Sequence, residues 1–336
     1  MVLSEIIFYL KLSGMLLLWV CIIGGNIAVI CSYVYWKDVH SKTRFKIIIS
    51  LAIADILYAL FVVSFDLIYT LWNEWYFSRP YCVIWRILDV ALSTTSYIHL
   101  SLLSLDQFLN LYKPLSIISN KSKRMRIYNI CICLIWFYSF TYSSTSMLVN
   151  TDYFRWSMSA DYIVLDHSSS INLTENIYGN ESIIIRKFCP FVITEGHIIL
   201  FTTSFFIFMF INIILCAAIV VVLVKNNTTI FNKSSLTPAM QHLKMRKTIG
   251  AIKFVIAMVI FFLLCWLPFF ILLSLQPYLK RNAYKQPVWL FNLLLWIAYI
   301  NSAINPVLYF FMHYEVRTRL KLAITRKKCL AFLEIS

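Results

Sequence analysis

Phe254-Val255-Ile256-Ala257-Met258-Val259-Ile260-Phe261-Phe262-Leu263-Leu264-Cys265-Trp266-Leu267-Pro268-Phe269-Phe270-Ile271-Leu272-Leu273 runs without a charged side chain. A helix rises about 1.5 Å per residue, so a stretch of this length crosses a hydrocarbon core of roughly 30 Å. Working outward in both directions, the same pattern returns between short charged or turn-rich connections. It predicts spans at roughly 12–36, 46–72, 81–112, 127–149, 191–224, 248–275 and 287–312. The composition agrees: 60% of residues are hydrophobic, 13% are charged, and the mean hydropathy is +0.76. A soluble domain carries about twice that share of charge. The fold class expected is an all-α membrane protein, a bundle of seven transmembrane helices, with residues 1–336 read as one polytopic domain. No repeat or low-complexity linker divides it.

The net charge of +15 would suggest a nucleic-acid partner in a soluble chain. Here its distribution reads as topology. The connections 37–45, 113–128, 225–247 and the tail after 312 hold more than twice the Lys and Arg of the opposite set. The positive-inside rule then puts the N-terminus outside and the tail in the cytoplasm. No cleavable leader is expected, because the first apolar stretch after Lys11 is long enough to span. Sequons at Asn172 and Asn180 fall in the long outer connection, where glycosylation is expected; those at Asn120, Asn226, Asn227 and Asn232 fall inside. Beyond the last span, 313–324 alternates apolar and basic residues at helical spacing, as in an amphipathic helix on the inner leaflet. Cys329 beside Arg326-Lys327-Lys328 reads equally as a palmitoylation site or as a free thiol.

Ionisable groups at membrane depth are functional candidates by default. Asp89 faces the same side of its helix as Gln107 but lies about 27 Å nearer the outside. That sets a carboxylate in the outer half of the bundle, with Ser93 one turn below. A buried carboxylate neutralises or finds a cation. A ligand ammonium is one partner; a Tyr hydroxyl or Arg86 is the structural alternative. Phe262, Trp266, Phe269 and Phe270 share one face of the sixth span, and Trp296 and Tyr299 one face of the seventh. Such rings attract an ammonium, and equally serve as ordinary packing. Asp55, expected near Ser96, Asn301, Ser302 and Asn305, reads as a site for a small hard cation or as a protonated carboxyl in a hydrogen-bond network. Asp66, three turns further out on the same span, is the next suspect for a ligand charge. Cys82 and Cys189 both lie at the oxidising outer boundary, and a disulfide between them would tie the long outer connection to the third span.

Laid in order, Gly25-Asn26, Leu51-Ala52-Ile53-Ala54-Asp55, Trp136, Cys265-Trp266-Leu267-Pro268 and Asn305-Pro306-Val307-Leu308-Tyr309 resemble the landmarks of the rhodopsin-like (class A) G-protein-coupled receptors. Asp89, Trp266-Leu267-Pro268-Phe269-Phe270 and Trp296-Ile297-Ala298-Tyr299-Ile300-Asn301-Ser302 look most like the biogenic amine and trace-amine-associated members. The resemblance implies a plasma-membrane receptor, not an enzyme, whose Asp89 pairs a small cationic amine. Tyr299 and Trp296 would flank that amine, and Val90, Ser93, Thr94, Ser204, Trp266, Phe269 and Phe270 would line the pocket. It implies an allosteric sodium site at Asp55, Ser96, Asn301, Ser302 and Asn305, and a heterotrimeric G protein meeting Asp106, Gln107 and Phe108. The family's Asp-Arg-Tyr is Asp106-Gln107-Phe108 here, and Lys244 to Lys253 holds no carboxylate, so both halves of an inner ionic latch are missing. The fifth span has Phe208 near the place of the family's Pro, and Tyr97 replaces a small aliphatic residue. These departures favour, as a second reading, an amine-binding or receptor-partnering protein without normal G-protein signalling. A transporter is a third, but repeats and Gly- or Pro-broken helices are not evident. An enzyme would need a metal cluster or a nucleophile–base pair, and neither stands in the spans.

Overall fold

Every backbone amide in a lipid core must find a partner within the protein, and a helix achieves this within one segment. The computed structural model describes residues 2–35, 44–72, 75–112, 121–148, 164–165, 185–186, 189, 195–230, 238–281, 288–312 and 316–318. Its helices are Val2–Tyr35, Arg44–Tyr58 continued through a π turn (Ala59–Val63) into Ser64–Trp72, Arg79–Tyr112, Lys121–Leu148, Glu195–Ile230, Pro238–Arg281 and Val288–Met312. These are the first to seventh spans. Several outrun the predicted apolar windows, the sixth at both ends. The hydrocarbon limits only the apolar stretch, whereas helical hydrogen bonding continues into water until something breaks it. Pro238, at the first position of the sixth helix, sits where a missing N–H matters least. The predicted helix over 313–324 falls among the described residues only at 316–318, which are helical, with Val316 buried in the main core. An antiparallel ladder of two residues per strand, Val164–Leu165 (β1) with Ile185–Arg186 (β2), adds a little sheet to the outer connection.

By length and composition six helices are apolar enough to cross a membrane, and the third is not among them. It carries Arg86, Asp89, His99 and Asp106 among many hydroxyls. The structure explains why it is tolerated. This helix packs against the second, fourth, fifth and sixth spans, and Asp89 to Tyr97 is buried without a break. The other helices meet lipid in its place, through exposed Leu17, Ile214, Leu264 and Phe311. Its hydroxyls turn back on their own helix: Thr95, Ser101 and Ser104 each donate to the carbonyl four residues earlier. His99 reaches Ser50 Oγ at 2.8 Å, where Trp136 Nε1 also donates at 2.9 Å, tying the second, third and fourth helices.

The π turn in the second span admits one extra residue, and Ala59 O, which accepts the Ser64 N–H and Oγ, has room for a further donor. Two indoles answer it. Trp19 Nε1, from the first helix, donates to Ala59 O at 3.2 Å and Ser64 Oγ at 2.9 Å. Trp85 Nε1, from the third, donates to Val62 O at 3.1 Å. Replacing Trp19 and Trp85 together by Phe keeps most of the apolar bulk and removes both donors. At about 1 kcal/mol for each net hydrogen bond, the double variant is expected to lose roughly 2 kcal/mol. Thermal unfolding of the purified protein in detergent measures this; an unchanged transition would show that the turn stands without its indoles.

Candidate functional site

The outer half of the bundle holds a buried polar cluster under an aromatic cap. Asp89 is buried; Tyr58 Oη donates to its Oδ1 at 3.0 Å, and Arg86 Nη1 lies 3.7 Å from its Oδ2. Both structural partners foreseen for this carboxylate are therefore present. Arg86 also lies over the Trp85 ring, 4.1 Å from its centroid. Trp85 stacks on Trp75 at 4.9 Å, and both pack with Cys82 and Cys189, which are joined in a disulfide with Cα atoms 5.8 Å apart. The disulfide thus closes a cap directly above Arg86 and Asp89.

A second carboxylate enters the same cluster. Asp66 is buried, with Arg86, Tyr299 and Trp296 at its side chain, and among the described residues its Oδ2 has no hydrogen-bond partner. In an unbroken helix Asp66 would lie above Asp55 on one face, about three turns away. The π turn rotates the outer segment by roughly one residue position, about 100°. Tyr299 and Trp296, expected to flank the amine, adjoin Asp66, and Tyr299 meets Tyr58 edge-on at 5.6 Å.

Below this cluster lies the expected aromatic floor. Trp266, Phe269, Phe270 and Phe262 are all buried; Phe270 stacks on Phe205 at 3.7 Å, and Trp266 meets Phe269 edge-on at 6.2 Å. Among the described residues Trp266 Nε1 has no hydrogen-bond partner. Val90 belongs to the core. The three expected pocket hydroxyls are engaged within the protein: Ser93 donates to Asp89 O at 2.7 Å, while Thr94 and Ser204 lie 3.2 and 3.1 Å from Tyr97 Oη. Tyr97 wedges between the third, fifth and sixth helices against Phe205, Phe208 and Phe262.

At mid-membrane Asp55 is fully buried. Ser302 Oγ donates to Oδ1 at 2.7 Å and Asn305 Nδ2 to Oδ2 at 2.9 Å, with Ser96 adjoining. Asn301 is buried on the same helix. Asn26 Nδ2 donates to Ser302 O at 3.1 Å, which ties the first helix to the seventh. Gly25 permits that approach: a Cβ there would meet the Pro306 ring at 3.0 Å. One carboxylate among hydroxyl and amide oxygens suits a monovalent hard cation. Among the described residues no group of three or more His, Cys, Asp or Glu side chains suits a transition metal.

At the inner end Asp106 has a partner that the sequence reading missed. Arg124 Nη2, from the fourth helix, lies 3.1 Å from Asp106 Oδ1 and 2.9 Å from Asn110 Oδ1, and Tyr128 Oη donates to the same carboxylate oxygen. Gln107 is buried, and among the described residues its Oε1 has no hydrogen-bond partner. Phe108 packs in a separate cluster with Leu111, Ile219 and Ile252. Two turns outward along this part of the helix, Asn212 donates to Ser101 Oγ at 2.7 Å and accepts from Ser104 Oγ at 3.1 Å, joining the fifth helix to the third.

Residues 25–309 match the family described as 7 transmembrane receptor (rhodopsin family). The chain belongs to the rhodopsin family. It is similar to trace amine-associated receptor 4 of Mus musculus, 26% identical over 309 residues, covering 90% of this chain and 81% of that one. It is also similar to trace amine-associated receptor 1 of Homo sapiens, 27% identical over 344 residues, covering 96% and 92%. The mouse receptor 1 is 28% identical over 325 residues. As a rhodopsin-family receptor the chain is a multi-pass membrane protein of a type typical of the plasma membrane, and it is not an enzyme. Its cap disulfide sits on the outer face that the charge distribution assigned. Tyr58, Arg124, Tyr128 and Asn212 are among the polar contributors that sequence reasoning missed in this receptor. A periodicity argument reads one helix at a time: the signal for Tyr58 and Asn212 was a hydrogen-bonding side chain at membrane depth, whereas Arg124 lay in the inner connection 113–128. Asn172, Asn180 and Cys329 lie outside the described residues.

Proposed function

We propose that this receptor detects a small organic cation, a protonated amine, arriving from outside the cell, and passes the signal to a heterotrimeric G protein with weakened or atypical coupling. The observation that carries this reading is charge. Two buried carboxylates, Asp66 and Asp89, share one guanidinium, Arg86, under a cap walled by aromatic rings. A net negative charge at this depth is expensive, and a ligand ammonium offsets it. In the occupied state Asp89 takes the ammonium and Arg86 turns to Asp66. Tyr299 and Trp296 then offer ring faces to the cation, and Val90, Ser93, Thr94, Ser204, Trp266, Phe269 and Phe270 bound the space below. The names of the similar receptors, which refer to trace amines, support this ligand class. Asp55, Ser96, Asn301, Ser302 and Asn305 fit a sodium ion that favours the resting state. Asp106, Gln107 and Phe108 stand where a G protein would dock.

The experiment is a binding screen of protonated primary and tertiary amines, each paired with a neutral isostere of the same shape, on membranes carrying the receptor. Amines are expected to bind and the isosteres to fail. Equal binding of an amine and its neutral isostere would remove the charge argument.

The second reading is a receptor that holds an amine, or partners another receptor, without driving nucleotide exchange. Gln107 in place of the family's Arg, and Arg124 on Asp106, favour it. Nucleotide exchange on G proteins in the same membranes separates the two.

A further inference from the structure

We infer that the cavity between the cytoplasmic ends of the sixth and seventh helices binds the phosphorylated headgroup of a phosphoinositide from the inner leaflet, which bridges the two helices. The cavity has a volume of about 460 Å³ and is lined by Arg246, Ile249, Gly250 and Lys253 of the sixth helix, Phe311 and Met312 of the seventh, and Arg317 just beyond. That is the size of an ordinary small-molecule site, about 300–1,000 Å³. Three of its lining residues are cationic, and among the described residues no carboxylate lines it. Arg246 and Lys253 are two helical turns apart on one face, and Gly250 between them has no side chain to fill the space. Nor does the inner sixth helix supply an internal counter-charge, since Lys244 to Lys253 contains no Asp or Glu.

The charge of the occupant follows from this lining. Three cations drawn from two helices repel one another, and a single phosphodiester, with one negative charge, leaves two of them unanswered. A phosphomonoester carries about −1.5 to −2 at neutral pH and three acceptor oxygens. A headgroup with two such groups matches all three side chains. The place selects a lipid over a soluble phosphate. The cavity lies at the cytoplasmic boundary, where basic side chains meet anionic lipid, and Phe311, 67% exposed, offers an apolar surface to an acyl chain beside it. In this receptor, which lacks a carboxylate latch on the sixth helix, the headgroup serves as the tie between the inner ends of the sixth and seventh helices.

The test uses the full chain in phosphatidylcholine nanodiscs containing a small fraction of fluorescent phosphatidylinositol bisphosphate, or phosphatidylserine at matched total charge. The bisphosphate is expected to bind tightly and to raise the thermal transition, while phosphatidylserine does neither. At the usual contribution of each basic side chain near an anionic surface, Arg246→Gln with Lys253→Gln should weaken bisphosphate binding on the order of 30-fold. Arg126→Gln, which removes an exposed charge from the inner end of the fourth helix, should change it by about two-fold at most. Equal losses in the double variant and in Arg126→Gln, or equal binding of the two lipids, would reduce the effect to bulk charge and overturn the inference. Soluble inositol trisphosphate binding as tightly as the lipid would assign the cavity to a free phosphate, against it. A G-protein C-terminal peptide that fills the cavity, with no lipid effect, would assign it to the transducer instead.

Discussion

Asp89→Asn is expected to weaken binding of a protonated amine by about 2–5 kcal/mol, roughly 30-fold or more in affinity, because it splits a desolvated charge pair. The substitution keeps the shape of the side chain and its capacity to accept from Tyr58, so the fold should stand. Arg86 makes the experiment discriminating. It lies 3.7 Å from Asp89, a loose contact, and also attends Asp66. If Asp89 is the ligand's partner, Arg86 competes with the amine. Arg86→Gln should then hold or raise amine affinity, and Asp66→Asn should lower it, because Arg86 loses its alternative carboxylate and stays on Asp89. If the Arg86–Asp89 pair is purely structural, Asp89→Asn and Arg86→Gln should lower thermal stability together and leave amine affinity unchanged. Competition binding on the three variants, with melting as a second readout, separates the cases, and unchanged affinity in Asp89→Asn would end the amine assignment.

Arg124→Gln should have the largest effect on the inner half. It leaves the Asp106 carboxylate, which is fully buried, without its guanidinium. Breaking a fully buried pair costs about 3–5 kcal/mol and an exposed one about 1 or less. The Arg124 side chain is 33% exposed, and Tyr128 still donates to Asp106, so the expected loss is intermediate, about 2 kcal/mol. Gln107→Arg in that background should restore part of the stability, since it places a guanidinium beside Asp106. The same substitution tests coupling. The parent receptor, with Gln107, is expected to give weak or absent agonist-driven nucleotide exchange while ligand binding stays intact. Gln107→Arg should raise exchange with little change in antagonist affinity. Robust exchange in the parent, unchanged by Gln107→Arg, would mean that the signal leaves by contacts other than this triplet, and an Arg124→Gln protein as stable as the parent would show that Tyr128 suffices for the Asp106 carboxylate.

Lipid as solvent made much of this protein legible in one dimension. Apolar stretches of membrane length, the asymmetry of Lys and Arg between alternate connections, and the two cysteines at one boundary depend only on chain composition and distance along the chain. The spans, their orientation and the Cys82–Cys189 bond therefore followed from Met1 to Ser336 read in order. Counting gave Asp55, Ser302 and Asn305 a common depth, and the resemblance to the rhodopsin-like landmarks implied that they meet, as they do. The third span marks a limit of hydropathy taken alone: it is polar for a membrane helix, and it is stable because the other helices surround it.

Azimuth and partnership were decided by tertiary structure. A single extra residue in the π turn rotates the outer second span, so Tyr299 and Trp296 meet Asp66, and no local propensity in Ala59–Val63 announces the turn. Its carbonyls are answered by Trp19 and Trp85 from two other helices. Likewise the partner of Asp106 is set by where the fourth helix crosses the third, which brings Arg124 to a carboxylate that its own neighbour Gln107 cannot neutralise. The sequence by itself determined how many times the chain crosses the membrane, which way it faces, and which charges lie at which depth, since burial in lipid acts on each segment alone. Only the packed bundle decided which of those charges meet, because a hydrogen bond acts over about 3 Å and depends on how each helix is rotated against its neighbours.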